Sequence, residues 1–458
     1  MADNSRPDDD RQPGDDGIPD ELRDMLRDIL SGNSSIDPSQ LAGAAGLPND
    51  PASVAALMKQ LQGALFSSGD GSINWDIALK QGQERAASGQ LSPTDAERAA
   101  LEQAFRIAAL WLDDITSVAE LMHTPGLMTR KQWVTATMPI WSQLASPVAT
   151  SISDALTRVL TEQAPEELRG MIANAGQVMR SLGGTLFAMQ LGQVVGQLSS
   201  EVVSGGDVGI PLMAEEQAVL LPQNVAAFGE GLDIPIDQVQ IYLAVRELAH
   251  ARLFRHSRWL RLHLISSVTE FARGIRIDTE RLEELASTFD PSNPEELRQA
   301  MVNGSLIPPK TDAQLAALGR LETMLALVEG WVDVVTAAAT QRLPASAAIA
   351  ETVRRRRASG GPAESAFAAL VGLELRPRRL REAAAMWQAV TDAVGNDARD
   401  ALWAHPDILP TAEDLDDPSG LVARLTGAAS GEEPVLDEID QALEELLRDD
   451  GTERPHEE

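Results

Sequence analysis

The sequence predicts a mainly α-helical protein with one large helical body between two acidic tails. Aromatic residues make up only 4% of the 458-residue chain, whereas alanine and leucine are abundant, and this composition favours helices over sheets. Helix-capping residues and apolar residues at helical spacing recur along the chain, while the two-residue alternation of strands is rare. We expect the helical body to span residues 53–425.

The two ends of the chain differ from the body in charge. Residues 1–20 carry seven aspartates and two arginines, a net of −5, and residues 431–458 carry twelve acidic residues and two arginines, a net of −10. Together they supply −15 of the formal net charge of −31. Because such density of like charge opposes collapse, we predict a disordered region with one short helix over 1–52. We predict an acidic tail over 426–458, with an amphipathic helix at 433–448.

Charge and composition exclude several classes of function. An acidic body is unsuited to nucleic acid or to an anionic membrane, since both require a positive surface. The chain has no cysteine, so a disulfide or a thiolate ligand is impossible. We expect a cytoplasmic protein, because neither a signal sequence nor a membrane-length apolar run is present. A protein partner is possible, and the sequence leaves the oligomeric state open.

Predicted helices follow one another from residue 92 onward. Ser92 or Thr94 is expected to cap the first of them. A packed helix is expected around Trp133 and Trp141. Over residues 177–203, small residues recur at every fourth position and form a ridge on which a neighbouring helix can pack closely. The residues of this ridge are Gly184, Ala188, Gly192 and Gly196.

Two further features lie in the C-terminal half. The arginine runs at 354–357 and 376–381 are predicted to be solvated or matched to the acidic tails. His405 and Asp407 flank a proline, and this pair could coordinate a metal or orient one another. We interpret the pair as a packed corner and keep it as a secondary candidate site.

A run of 37 residues, 237–273, contains neither proline nor glycine and forms the centre of the prediction. At 100° per residue, Arg246 and His250 lie within about 20° of Val239 on one face of the first helix. Apolar residues occupy nearly every side of this helix, so the helix is predicted to be buried. Buried polar groups need partners, and Arg246 and His250 are therefore candidate site residues.

A second helix is predicted over 258–273, capped by Ser257. On it, Trp259, His263, Ser266 and Glu270 fall in one narrow stripe. If the helix folds back antiparallel to the first, this stripe would face Arg246 and His250. We therefore expect a central buried helix pair.

The sequence "YLAVRELAHARLFRHSRWLRLHLISSVTEFARGI" and residues 373–418 resemble a family of bacterial, mainly actinobacterial, proteins known as zincin-like metallopeptidases or hydrolases. The resemblance covers residues 90–425 and implies a zincin-like fold. In members with an intact HExxH motif, metal ligands would lie at the positions of Arg246 and His250, and the general base at Glu247. This chain has RExxH instead. Spacing alone suggests Glu270 as the third ligand.

Two interpretations of the motif remain open. In the first, zinc binds to His250 and Glu270, with His256 or His263 substituting for the lost ligand, and the protein is a metallohydrolase acting on peptides. In the second, the protein has no cofactor, and Arg246, Glu247, His250 and Glu270 form a structural polar cluster. The guanidinium of Arg246 would then replace the charge of the metal, paired with Glu270 or Glu247. Such a protein would have weak or no catalysis, or would be a non-catalytic interaction or regulatory protein.

Overall fold

A computed structural model describes residues 73–162, 169–213, 217–273, 310–358, 364, 366–368 and 379–429. The predicted N-terminal region, the predicted helix at 433–448 and the first part of the expected body lie outside these residues. The predicted boundaries at 52 and 425 stay predictions, although the last described helix continues to residue 429.

The described ranges contain twelve α-helices and two very short strands, which confirms the mainly α-helical prediction. The helices are α1 (Trp75–Ala87), α2 (Asp95–Asp113), α3 (Arg130–Glu162), α4 (Arg169–Leu198), α5 (Pro222–Gly229), α6 (Ile236–His256), α7 (Arg258–Arg273), α8 (Asp312–Ala339), α9 (Ser346–Ala358), α10 (Leu380–Ala401), α11 (Ala412–Asp416) and α12 (Pro418–Ala429). A 3₁₀ turn spans Pro406–Ile408. Strands β1 (Gly126–Leu127) and β2 (Val219–Leu220) pair in parallel. Within the described part of the chain, no helix has both the length and the apolarity to cross a membrane.

Side-chain caps fix the starts of two long helices. The hydroxyl of Thr94 accepts the Glu97 N–H at 3.2 Å, and the Glu97 carboxylate accepts the Thr94 N–H at 2.7 Å. Such a capping box satisfies N–H groups that have no partner inside the helix. The capping position is therefore Thr94 and not Ser92. Thr311 and Gln314 form the same arrangement at the start of α8.

The core lies around α6 and α8. Helix α6 packs against α2 and α8, α7 packs against α3 and α8, and α8 packs against α10. Five tryptophans are almost completely buried in this core, and the rings of Trp387 and Trp403 stack at 5.4 Å. The five are Trp133, Trp141, Trp331, Trp387 and Trp403. The predicted packing around Trp133 and Trp141 is confirmed.

The predicted ridge of small residues on α4 does bring a helix close. Helix α1 lies against it, and a Cβ placed on Gly192 would come within 2.4 Å of the Ala78 carbonyl oxygen. A Cβ on Gly196 would lie 2.7 Å from the Cβ of Arg85. Glycine at these positions allows the two backbones to approach further than any side chain would permit.

We predict that Gly192→Ala lowers the free energy of unfolding by about 1–3 kcal/mol, because the added methyl group overpacks the interface between α1 and α4. The matched control is Gly319→Ala on the exposed side of α8, where a Cβ meets no atom within 4 Å. Alanine in that exposed helix should raise stability by up to about 1 kcal/mol. Urea unfolding of the two variants checks the difference, and equal effects would contradict the close approach.

The junction between α6 and α7 differs from the predicted cap. Ser257 is the single residue between them, and its hydroxyl donates to the Trp403 carbonyl oxygen at 2.7 Å instead of capping α7. The indole N–H of Trp259 donates to the same oxygen at 3.1 Å. Helix α7 is thus attached to the segment that follows α10. Its buried face is formed by Leu260, Leu264, Ile265, Val268, Phe271 and Ala272.

Candidate functional site

The RExxH motif lies in the middle of α6, a buried helix of the core. Arg246, Glu247 and His250 are 5%, 2% and 2% exposed, so all three polar side chains are removed from solvent. Apolar residues on every side of α6 explain this burial, as the sequence predicted. Each of the three groups needs a partner from another part of the chain.

The partner of both Arg246 and His250 is Glu329 of α8. One carboxylate oxygen of Glu329 accepts a hydrogen bond from the Arg246 guanidinium, and the other lies 3.1 Å from Nε2 of His250. The guanidinium of Arg357 on α9 lies 2.6 Å from that second oxygen. Glu329 is 1% exposed. Two guanidinium groups and one imidazole therefore surround a single buried carboxylate, and we call Arg246, His250, Glu329 and Arg357 the ion cluster.

Glu329 is ionised in this setting. Burial alone would raise the pKa of its carboxyl group, but Arg357, Arg246 and His250 together hold that pKa well below its usual value. The other ring nitrogen of His250, Nδ1, lies 3.1 Å from the Arg246 carbonyl oxygen. Both nitrogens of His250 are thus engaged with oxygen atoms of the protein.

Glu247 binds the backbone instead of another charged side chain. Its carboxylate accepts the N–H groups of Gly206 at 2.8 Å and Val219 at 2.9 Å, and the Ser204 hydroxyl adds a further hydrogen bond. Burial raises the pKa of Glu247, and these hydrogen bonds offset the rise only in part. Glu247 therefore joins α6 to β2 and to the segment before it.

The segment 203–213 covers the ion cluster. Asp207 accepts the Val203 N–H at 2.9 Å and pairs with Arg356 at 3.2 Å and Arg357 at 3.8 Å. Gly209 has φ of +82°, a conformation that glycine adopts without strain, and a Cβ there would lie 3.1 Å from a Glu329 oxygen. The backbone of this segment thus lies directly on the buried carboxylate.

Three of the four arginines at 354–357 are partly buried, with side chains 12% to 33% exposed, contrary to the prediction that the run is solvated. Arg354 pairs with Asp333 of α8 at 2.8 Å, while Arg357 pairs with Glu329. Glu329 and Asp333 lie one turn apart on α8, as Arg354 and Arg357 do on α9, so the spacing lets both pairs form together. Arg355 pairs within its own helix, with Glu351 at 2.8 Å on the surface.

A narrow cleft lies beside the motif. Glu247 and His250 line it together with Met213 and Phe254. Arg246 and Glu329 are not among the described residues that line it. The cleft therefore reaches Glu247 and His250 of the motif, and Arg246 does not line it.

The structure does not bring the other predicted ligands to His250. Glu270, His256 and His263 are exposed, whereas His250 is buried. The prediction that Glu270 pairs with Arg246 is corrected to Glu329, and Glu247 is not the partner either. The physical reason is the orientation of α7: its apolar face turns inward, so the stripe that carries Glu270 and His263 turns outward. The ring of His263 instead contacts Trp259 at 6.1 Å between centroids.

The secondary candidate pair is also on the surface. Nδ1 of His405 lies 3.3 Å from the Asp407 carboxylate and accepts the Asp407 N–H at 3.3 Å, which caps a 3₁₀ turn. Both side chains are largely exposed, so the pair orients itself and does not form a packed corner. Over the part of the chain that the structure describes, no group of three or more histidine, aspartate or glutamate side chains is arranged to hold a metal ion.

Sequence reasoning missed Glu329, Arg357 and Asp207. A signal for Glu329 was present, because Glu329 and Asp333 are two carboxylates inside the apolar run "LALVEGWVDVV" of α8. Charged residues at helical spacing in such a run are buried and require partners of opposite charge. Asp207, in a glycine-rich segment, carries no comparable signal.

Comparison with known proteins identifies the family. The sequence profile of the zincin-like metallopeptidase family matches residues 73–422, which is most of the chain. This chain belongs to the zincin-like metallopeptidase family. In the HExxH pattern that residues 246–250 resemble, the first position would carry a histidine; in this chain it carries Arg246 of the ion cluster.

One solved structure is similar to this zincin-like protein. It comes from Chloroflexus aurantiacus and is described as "a putative hydrolase with a novel fold". The TM-score is 0.52 at 17% identity, with 78% of this chain and 99% of the other covered. At this identity the likeness shows the fold alone. A comparison with curated proteins gave no match.

Proposed function

We propose that this protein is a zincin-like protein in which the ion cluster takes the place of the metal centre, and that it has weak or no metal-dependent hydrolase activity. The observation that carries the proposal is the buried carboxylate of Glu329 between the guanidinium groups of Arg246 and Arg357. In a zinc site this carboxylate would be expected to bind the metal together with His250 and a residue at position 246. Here both of its oxygens already pair with cations of the protein.

The residues present do not fit a zinc ion. A guanidinium cannot lose its proton in a protein, so Arg246 cannot become a ligand. At an effective dielectric constant near 20, a guanidinium about 5 Å from Zn²⁺ raises the free energy by roughly 7 kcal/mol. Arg357 would add a similar repulsion. These repulsions oppose zinc binding at the cluster.

Glu247 and His250, which would take part in hydrolysis, already have hydrogen-bond partners within the protein. A general base must reach an attacking water, but both oxygens of Glu247 accept backbone N–H groups. Both nitrogens of His250 lie beside oxygen atoms. These contacts support a structural role for the motif: it joins α6 to α8, to β2 and to the segment that covers the cluster.

An assay with a mixed peptide library tests this proposal. Full-length protein should show no peptide cleavage that is sensitive to a zinc chelator. The matched control is His250→Ala, prepared in the same way, because any contaminating peptidase would act equally in both preparations. Cleavage that is abolished both by the chelator and by His250→Ala would contradict the proposal and favour a working metallohydrolase.

A further inference from the structure

A pocket large enough for a small molecule lies between α1 and the end of α4. Its volume is about 340 Å³, within the range of sites that hold small ligands. No residue of the ion cluster is among the described residues that line it. The lining combines four polar side chains with three apolar ones: Arg85, Gln193, Gln197 and Glu201, and Val194, Leu198 and Ala366.

The close approach of α1 and α4 positions the cation of this pocket. A Cβ on Gly196 would lie 2.7 Å from Cβ of Arg85 and 2.9 Å from its Cγ, so the stem of Arg85 lies directly on the backbone of α4. From there the Arg85 guanidinium donates a hydrogen bond to Oε1 of Gln197. Glycine at position 196 therefore allows an arginine of α1 to reach across α4.

The Gln197 amide joins Arg85 to an anion. Its Oε1 accepts the hydrogen bond from Arg85, and its Nε2 donates to the Glu201 carboxylate at 3.2 Å. The orientation of the amide is thereby determined, with its acceptor end toward the cation and its donor end toward the anion. The pocket thus has a guanidinium and a carboxylate at the two ends of one amide group.

Neither of these two charges is neutralised by an ion pair. Over the residues that the structure describes, the side chains of Arg85 and Glu201 bond only to the amide of Gln197. Because a guanidinium has several N–H groups and a carboxylate accepts several hydrogen bonds, both can bond to a ligand as well. Both side chains are exposed, so a ligand can reach them.

Other charged groups nearby have partners of their own. Arg356 comes close to Glu201, but it donates to the backbone carbonyl of that residue and pairs with Asp207 at 3.2 Å. On α1, the acidic neighbour of the arginine in the sequence is Glu84, which lies 4.0 Å from Lys80. The guanidinium and the carboxylate of the pocket therefore remain a pair of opposite charges that a ligand can match.

We propose that this pocket binds a free α-amino acid with an apolar side chain. The carboxylate of the ligand pairs with Arg85, and its ammonium group pairs with Glu201. An α-amino acid carries both groups on one carbon atom, much as the amide of Gln197 carries its acceptor and donor on one carbon, so it can join the same two charges. The side chain of the ligand contacts the apolar part of the lining.

The charge of the chain favours a zwitterion over an anion or a metal cation. The formal net charge of −31 repels anions, whereas an α-amino acid has no net charge at neutral pH. Glu201 is the only carboxylate among the described residues that line the pocket, and the guanidinium of Arg85 is close to it. One carboxylate beside a guanidinium is a poor site for a divalent cation.

Equilibrium dialysis of the full-length protein against labelled L-leucine tests the proposal. We expect a dissociation constant below about 1 mM. Arg85→Gln and Glu201→Gln should each weaken leucine binding at least about fivefold, because each removes a charge-assisted hydrogen bond. The matched control is Arg106→Gln on α2, which should leave leucine binding unchanged. Arg106 also bonds to a glutamine amide, that of Gln103 at 2.8 Å, but it does not line this pocket.

Two analogues of leucine test the two charges of the ligand separately. N-acetyl-L-leucine lacks the ammonium group and L-leucinamide lacks the carboxylate, so each should bind at least about fivefold more weakly than leucine. An analogue that binds as tightly as leucine would overturn the proposal. So would the absence of leucine binding, or equal effects of Arg85→Gln and Arg106→Gln.

Discussion

Replacing Glu329 by glutamine should lower the free energy of unfolding by about 3–5 kcal/mol. The change keeps the size of the side chain but leaves the buried guanidinium of Arg246 without its carboxylate and Arg357 with Asp207 alone, at 3.8 Å. Urea unfolding at neutral pH, followed by circular dichroism, measures the loss. The matched control, Glu382→Gln on the exposed side of α10, should change stability by less than about 0.5 kcal/mol.

In Glu329→Gln, the free energy of unfolding should also depend less on pH in the acid range than it does in the wild type. The pKa of the Glu329 carboxyl lies below its ordinary value in the folded protein, whereas in the unfolded chain it is about 4.3. The stabilisation that ionised Glu329 gives the folded protein is therefore fully present above the pKa of the unfolded chain. It is lost as the pH falls toward the lower pKa of the folded protein. Between about pH 5 and pH 3 the wild-type protein should lose stability more steeply than Glu329→Gln. Parallel profiles would contradict an ionised Glu329.

Arg246→His should create zinc affinity that the wild-type protein lacks. The substitution places an imidazole one helical turn before His250, with Glu329 as the third ligand and water in the open position. Removing the guanidinium also removes a repulsion of several kcal/mol. We therefore expect zinc to bind the variant at least about a hundredfold more tightly than the wild type, in competition titrations against a chromogenic chelator.

The control for this gain is Arg246→Gln, which removes the same charge without supplying a ligand. It should bind zinc more weakly than Arg246→His. Because Arg357 still pairs with Glu329, the double variant Arg246→His with Arg357→Met should bind zinc more tightly again. Equal zinc affinity of Arg246→His and Arg246→Gln would show that positions 246, 250 and 329 do not converge on one ion.

The burial of the motif could be predicted from the sequence, because it depends on local periodicity. Apolar residues on all sides of α6 require that helix to be buried, and Arg246 and His250 are on one face at any tertiary arrangement. The partner of Arg246 could not be derived in the same way. Glu329 lies 83 residues away, and the choice between it and Glu270 depends on which helix packs against α6.

The orientation of α7 about its axis excludes Glu270 as the partner of Arg246. Six apolar residues of α7 face the core, so the stripe that carries Glu270 and His263 faces solvent. For the arginine run at 354–357 the prediction placed buried partners in solvent, because four consecutive cations are typical of an exposed surface. Arg354 in fact pairs with Asp333, and Arg357 pairs with Glu329. The sequence alone does not show that these carboxylates of α8 lie beside α9.

The central claim is that the ion cluster replaces the metal, and the zinc content of full-length wild-type protein tests it most directly. Protein purified without chelator from zinc-supplemented medium should contain far less than one equivalent of zinc by elemental analysis, and His250→Ala should leave that content unchanged. One equivalent of zinc in the wild type that disappears in His250→Ala would contradict the claim, and position 246 would then have to lie outside the coordination sphere.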